Sequence, residues 1–384
     1  MAIKEGYSLL HEYLQYQEIS LDCKEAFAKR EVALIRAVEN HFLETIVWEC
    51  TRRCDIKCLH CGTPAEQADS LNELSTTQAK IVFDNLEQAF DLSSLTCVSI
   101  TGGEPTVRSD LVEMVEYIKS FGVPQIVTHT NGHRLALEPK LPERLVKAGV
   151  TGIGVNLDGM EKNHNWLRRN PNAFNYSVNA LRLTKDSGAD TMVSTVLTKR
   201  VIKDLPHLRD KLVDLQPDRW RLIPIEPIGR APLGLVDELL HPEDITTVLS
   251  FVLECQAINL PFGVEMGCGQ WYGKKLEALV RPYIWYCIAG VNVLGILSDG
   301  SIGACNNIDR SYCQGNALRD DIGEVWRSGF RVFRDRDWCK KGECINCIDW
   351  ALCRGGEMHL RDSTGERLAP CFYHWLEKKY QCAI

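Results

Sequence analysis

With 384 residues, 45% apolar and 25% charged side chains, the sequence belongs to the folded globular class, which excludes collagen-like, low-complexity and disordered chains. The formal net charge of −7 offers no phosphate-tracking basic stripe, so no nucleic-acid partner is expected. This length suits one large domain and a smaller one.

The start, Met1-Ala2-Ile3-Lys4-Glu5-Gly6, lacks an apolar stretch of the secretory kind. The longest uncharged run, Pro282 to Ser298, falls short of the roughly 20 residues a spanning helix needs and contains Asn292 and glycines. A cytoplasmic protein without membrane contact is expected. In that compartment seventeen cysteines argue for metal rather than disulfides.

In chain order, residues 1–44 form an N-terminal helical segment, since Leu9, Leu10, Tyr13 and Leu14, then Ala26, Phe27, Val32, Leu34, Ile35 and Val38 recur near helical spacing. A winged-helix peptide-recognition domain would need roughly twice this length, and none is expected. A β-like run, Thr45-Ile46-Val47-Trp48, then leads into Cys54, Cys58 and Cys61, spaced C-x3-C-x2-C. Three close thiolates call for a metal. Tetrahedral zinc would take a fourth Cys or His, for which His60 is badly spaced; a 4Fe-4S cubane on three cysteines leaves one iron free.

Strands are predicted at 45–50, 95–101, 125–130, 150–157, 190–197 and 219–225, with helices near 76–90, 109–121, 140–148, 173–187 and 203–215. Six β-α units without hairpin signals imply a parallel sheet with helices outside. The cysteine loop and the turn Gly102-Gly103-Glu104-Pro105 both fall at its carboxyl edge, where parallel sheets bind ligands. Other strand ends carry Thr130-Asn131-Gly132, Asn156-Leu157-Asp158-Gly159 and Ser194-Thr195. Gly152-Ile153-Gly154 does not continue as a dinucleotide fingerprint, because Leu157 stands at the third glycine position. His164-Asn165-Trp166-Leu167-Arg168 reads as a loop on the ligand side, its Trp either a substrate contact or a packing staple.

After Pro224, Pro227 and Pro232 the alternation is expected to stop. A connecting helical region, 233–266, precedes a cysteine field holding Cys268, Cys287, Cys305, Cys313, Cys339, Cys344, Cys347, Cys353 and Cys371. C-x2-C-x5-C on its own fits a zinc knuckle as well as an iron-sulfur site. Cys50, Cys97, Cys255 and Cys382 lack ligand spacing and read as core or surface thiols.

The C-x3-C-x2-C loop with Ser99-Ile100-Thr101-Gly102-Gly103-Glu104-Pro105 resembles the signature of radical S-adenosylmethionine (SAM) enzymes. That resemblance implies a partial (β/α)6 barrel over 45–232 and a cluster on Cys54, Cys58 and Cys61 whose free iron chelates SAM. It places Gly102, Gly103 and Glu104 at the methionine group and Asn131, Asn156 and Ser194 near adenosine. The second field, within 267–384, resembles the SPASM extension with two auxiliary clusters, making three 4Fe-4S clusters in all. One cluster falls to Cys344, Cys347, Cys353 and Cys371, the other to Cys268, Cys287 and Cys305. Where the family has a further cysteine this chain has Glu357, so the inner cluster keeps an open iron, uses Glu357, or recruits Cys313 or Cys339.

What the resemblance implies for function is reductive cleavage of SAM to a 5′-deoxyadenosyl radical, fed by a low-potential donor such as flavodoxin or ferredoxin. A ribosomally made peptide is the expected substrate, modified by a cross-link, thioether or epimer. The alternative is a small-molecule dehydrogenase or cofactor-biosynthesis enzyme. Sulfatase-maturating relatives carry an Asp base after the cysteine matching Cys305, and Asn306 here speaks against that activity. A non-catalytic metal scaffold would leave Gly102-Gly103-Glu104-Pro105 without a purpose.

Overall fold

The computed structural model describes residues 21–63, 72–282 and 285–380. Helix α1 (Leu21–Asn40) confirms the later part of the N-terminal helical reading, while Leu9, Leu10, Tyr13 and Leu14 lie outside the described residues, as does Cys382. The main unit then alternates β1 (Thr45–Thr51), α2 (Thr76–Phe90), β2 (Cys97–Gly102), α3 (Leu111–Ser120), β3 (Gln125–Thr130), α4 (His133–Leu137), α5 (Leu141–Ala148) and β4 (Gly152–Asn156). It continues with α6 (Glu161–Arg168), α7 (Ala173–Asp186), β5 (Asp190–Leu197), α8 (Leu205–Leu215) and β6 (Arg219–Pro224).

Local sequence explains these elements. Ser75 caps α2 with a reciprocal box, its hydroxyl taking the Gln78 N–H while the Gln78 side chain takes the Ser75 N–H. Leu141-Pro142 opens α5, where the missing proline N–H costs nothing. The strands bury alternate side chains such as Ile46, Trp48 and Cys50 on β1, each large apolar one contributing about 1.5–3 kcal/mol. Gly154 on β4 is there for space, since a Cβ would stand 2.5 Å from Nδ1 of His129 on the neighbouring strand.

Two expectations are corrected. The alternation does not stop at residue 232: helix α9 (Pro242–Ala257) leads to a further strand, β7 (Gly263–Met266), which pairs in parallel with β6. Four residues at a sheet edge carry too little periodicity to be read in advance. The cysteine-rich part is also joined to the sheet. Strand β8 (Val293–Ile296) pairs in parallel with β1, and β9 (Ser301–Gly303) and β10 (Gly315–Asn316) follow antiparallel. The full order is β10-β9-β8-β1-β2-β3-β4-β5-β6-β7. Buried Glu49 on β1 ties the two parts together, accepting from Ser298 Oγ at 2.9 Å and pairing with Arg310 at 2.5 Å. No described helix is long and apolar enough to cross a membrane.

Candidate active site

A cavity of about 350 Å³ opens at the carboxyl ends of the parallel strands, within the range of small-molecule sites. Its wall includes Cys54, Cys58 and Cys61, and with them Gly102, Gly103, Glu104, Asn131, Asn156 and Ser194. All nine residues expected at the catalytic cluster and cofactor therefore meet in one place.

The cysteine loop is fixed by backbone. Gly103 N donates to Thr51 O at 2.7 Å and Glu104 N to Arg53 O at 2.8 Å, so the β1–β2 ladder runs on into the loop. A Cβ on Gly103 would fall 2.2 Å from Arg53 O, which is why this turn is glycine. On the opposite side Arg230 donates from its backbone to Cys61 O at 3.0 Å and from Nε to Cys58 O at 2.8 Å. Gly229, at φ +57°, lets that chain approach: its Cβ would meet Cys61 O at 2.2 Å. Glu73 closes a third side, with Oε1 accepting from Arg52 N at 2.7 Å.

Glu104 is 1% exposed, and its carboxylate is set by four donors. Oε1 accepts from Thr106 N, Thr106 Oγ1 and Thr130 Oγ1, while Oε2 accepts only Asn131 N, at 2.7 Å. Burial raises this carboxyl and the hydrogen bonds oppose the rise. Asn131 is engaged differently from its expected adenosine role: Nδ2 donates to Asp55 at 2.7 Å and Oδ1 accepts from His133 N at 2.8 Å. Asn156 and Ser194 face each other in register across β4 and β5.

The segment expected to be a loop is helix α6, and its cavity residue is not Trp166. Arg200 lies over the Trp166 ring at 4.3 Å, while Arg168, one turn from buried His164, lines the cavity. Arg168 Nη1 lies 3.6 Å from Cys58 Sγ, and its Nε donates to Asp158 at 2.5 Å. Burial pushes the Cys58 thiol up and Arg168 draws it back; burial takes Cys54 up to about 12. Deprotonated thiolates are therefore expected only with a metal, and uptake releases protons. His60 Nδ1, buried on a residue of the cavity wall, has no hydrogen-bond partner among the described residues, whereas Arg221 Nε is paired with Glu265 at 3.7 Å. Three thiols with an orphaned polar atom on the same loop fit an iron-sulfur cluster with a polar ligand. Sequence reasoning put Arg168 on the ligand side without a role and missed Arg221, Glu226 and Arg230, which lie on β6 and in the loop after it without a motif.

The other cysteines form two neighbourhoods. Cys347 is pushed up to about 11 by burial, with Asp349, Cys371 and Cys344 adding to it, and Cys353 by burial with Cys371 foremost. Arg361 Nη2 reaches Cys344 Sγ at 3.4 Å. Elsewhere Cys268 is an exposed residue whose thiol is raised by desolvation from the groups packed around it and further by Cys287, Glu226, Glu357 and Cys305. Cys313 sits instead beside Arg310 and Asp299, and Cys339 donates to Arg336 O at 3.1 Å. Among the described residues no three His, Cys, Asp or Glu gather closely enough for a single metal ion, as zinc at about 2.3 Å per sulfur requires. A multi-iron cluster, with ligands on different irons, spreads its cysteines wider.

A second cavity, about 660 Å³, adjoins the first and shares Gly62, Thr63, Ile228, Asn306 and Asn307 with it. Its wall also carries Glu49, Arg52, Asp309, Arg310, His359 and Arg361.

The radical SAM superfamily profile matches residues 48–212, and the SPASM iron-sulfur cluster-binding domain matches 287–348. Mycofactocin maturase MftC of Mycobacterium ulcerans is 30% identical over 332 residues, covering 83% of this chain and 84% of that protein. The chain belongs to the radical SAM superfamily. An AdoMet-dependent heme synthase of Nitratidesulfovibrio vulgaris is 24% identical over 348 residues, 84% of this chain and 90% of that protein. In fold, this radical SAM chain superposes on Streptococcus suis SuiB bound to its precursor peptide SuiA with a TM-score of 0.64 at 20% identity, covering 86% and 75% of the two chains. As a radical SAM/SPASM enzyme the chain uses iron-sulfur clusters and SAM.

Proposed function

We propose that this radical SAM/SPASM enzyme modifies a ribosomally made peptide by hydrogen abstraction from carbon. The observation that carries this reading is the second cavity, which shares part of its wall with the first and is walled by charges of both signs. A peptide brings amides and mixed side chains that such a wall satisfies, whereas a flat macrocycle would call for a broad apolar slot. The relative named as a maturase, and the fold neighbour bound to a precursor peptide, point the same way.

Cys54, Cys58 and Cys61 would hold the catalytic cluster, which supplies reductive cleavage of SAM to a 5′-deoxyadenosyl radical when loaded. The chain's own work is orientation and exclusion of water. Glu104 Oε2, with one donor, has capacity left for the methionine ammonium. Arg168, Arg221 and Arg230 bring positive charge to the cavity that holds the SAM carboxylate. Asn156 and Ser194 present polar groups for adenosine from adjacent strands. Cys344, Cys347, Cys353 and Cys371 hold one auxiliary cluster; Cys268, Cys287 and Cys305 hold another. A flavodoxin or ferredoxin supplies electrons.

The test is anaerobic incubation of reconstituted enzyme, SAM and dithionite with short peptides encoded beside its gene, read by mass spectrometry. A peptide mass change with matching 5′-deoxyadenosine is expected, and about 12 irons per chain. Turnover of a small molecule with every peptide untouched would sink the peptide reading. Zinc in place of iron after anaerobic purification would sink the cluster reading.

A further inference from the structure

Four glutamates of the described chain are at most 1% exposed: Glu49, Glu104, Glu277 and Glu357. The first three all have partners. Glu49 has Ser298 and Arg310, Glu104 has Thr106, Thr130 and Asn131, and Glu277 accepts from Tyr272 N at 3.0 Å and pairs with Arg281. Glu357 differs. Neither Oε1 nor Oε2 has a hydrogen-bond partner, although the side chain is 0% exposed. A carboxylate so placed is costly unless something positive completes it.

The backbone that delivers Glu357 is built with care. Arg354, Gly355 and Gly356 follow one another at φ 43°, 86° and 77°, a left-handed turn leading straight from Cys353 to Glu357. Three arginines pin it: Arg361 Nη2 donates to Gly355 O at 2.6 Å, Arg367 Nη1 to the same oxygen at 3.0 Å, and Arg336 Nη1 to Gly356 O at 3.0 Å. Nearby cations are committed elsewhere, His359 to Glu226 and Arg367 also to Gln270 Oε1 at 2.8 Å. Arg336 ties this turn to the cysteines, since the guanidinium that holds Gly356 O also donates from Nη2 to Cys287 O at 2.6 Å, and Glu357 acts electrostatically on the exposed residue Cys268 together with Cys287, Cys305 and Glu226. Tyr272, also a neighbour of Glu357, has a buried hydroxyl with no partner, as does Glu226 Oε1. Cys313 faces Arg310 and Asp299, while Cys339 lies against Gly355 with its thiol on Arg336 O at 3.1 Å.

We propose that the Glu357 carboxylate is the fourth protein ligand of the cluster on Cys268, Cys287 and Cys305. This rests on the reading that those three cysteines hold a cluster. Glutamate keeps the charge a cysteine thiolate would bring while replacing soft sulfur with hard oxygen. The iron it binds is therefore closed, with no coordination site left for an added thiol. The unpartnered Tyr272 hydroxyl is a donor available to the bound carboxylate.

The experiment uses the full chain with Cys54, Cys58 and Cys61 changed to Ala, reconstituted anaerobically with iron-57. Its Mössbauer spectrum should contain one oxygen-ligated iron site that disappears in Glu357→Cys with iron content unchanged. The EPR signal of reduced Glu357→Ala should shift on adding 2-mercaptoethanol, and that of the parent should not. Identical Mössbauer spectra for parent and Glu357→Cys would overturn the proposal, as would a parent signal that already shifts with thiol. If Glu357→Ala fails to fold, the Glu357→Cys comparison decides alone. A Cys287→Ala variant should lose about four irons; full iron there overturns the cluster reading itself, and Glu357 ligation with it.

Discussion

Arg168 is shared between a carboxylate and a sulfur, with Nε held by Asp158 at 2.5 Å and Nη1 3.6 Å from Cys58 Sγ. Asp158 is 0% exposed and also accepts Val196 N at 2.8 Å, so the guanidinium is oriented from the sheet side and its charge falls on Cys58, a proposed ligand of the catalytic cluster. A hydrogen bond to a cluster sulfur and a nearby positive charge both favour the reduced state.

Arg168→Gln should therefore do two separable things. It strands the Asp158 charge, at a cost of about 3–5 kcal/mol, and it moves the cluster potential to more negative values. The double variant Arg168→Gln/Asp158→Asn should recover most of the stability but not the potential. Thermal unfolding and an EPR-monitored redox titration read the two effects; a potential equal to wild type in the double variant would remove Arg168 from cluster tuning.

Gly103→Ala and Gly229→Ala address the loop rather than SAM. Both put a methyl 2.2 Å from a backbone oxygen, which no rotamer change relieves. Loss of about four irons with auxiliary clusters retained is expected. Full iron with weakened SAM binding alone would instead mean that these glycines serve the cofactor directly.

For Glu104→Gln the affinity for SAM should fall roughly 10- to 100-fold, since a charge-assisted bond worth about 1.5–3 kcal/mol is lost. The new amide also sets a donor against the hydroxyl and amide donors that the carboxylate accepts. Iron content should not change. Equilibrium binding of SAM to the reconstituted variant checks this, and unaltered affinity would place the ammonium elsewhere.

His359 gives a pH signature. Burial disfavours its charge, but the Glu226 carboxylate against it prevails and raises it to about 9. A raised histidine contributes stability that is whole below its unfolded value near 6.5 and lost as pH climbs through about 9. The gap corresponds to a few kcal/mol at most, roughly 1.4 per unit. The melting temperature of Glu226→Gln relative to wild type should therefore be lowest near pH 6 and converge towards pH 9.5. A difference independent of pH would show that the pair is not ionised.

Much of this was legible beforehand because the parallel core is regular: Gln125–Thr130 and Asp190–Leu197 span the ranges that their β-branched and apolar residues predict. The short strands at Gly263–Met266 and Ser301–Gly303 were not, because they are held by neighbours rather than by pattern. Helix Glu161–Arg168 is polar on most positions and read as a loop, though His164 and Arg168 stand four apart and are both buried. At the site, the cysteines and Glu104 carry motif spacing, whereas the Glu226–His359 pair joins residues 133 apart in the chain. Gly103, expected at the methionine group, has the cysteine loop's own backbone as its immediate neighbour.

The ladder that passes from β2 into the cysteine loop, through Gly103 to Thr51 and Glu104 to Arg53, has a consequence for the life of the enzyme. Where a metal must order its own ligands, losing it unfolds the domain. Here the sheet itself helps to order the loop, so if the proposed cluster on it is lost to an oxidant, these backbone bonds should keep part of its seat in place for reloading.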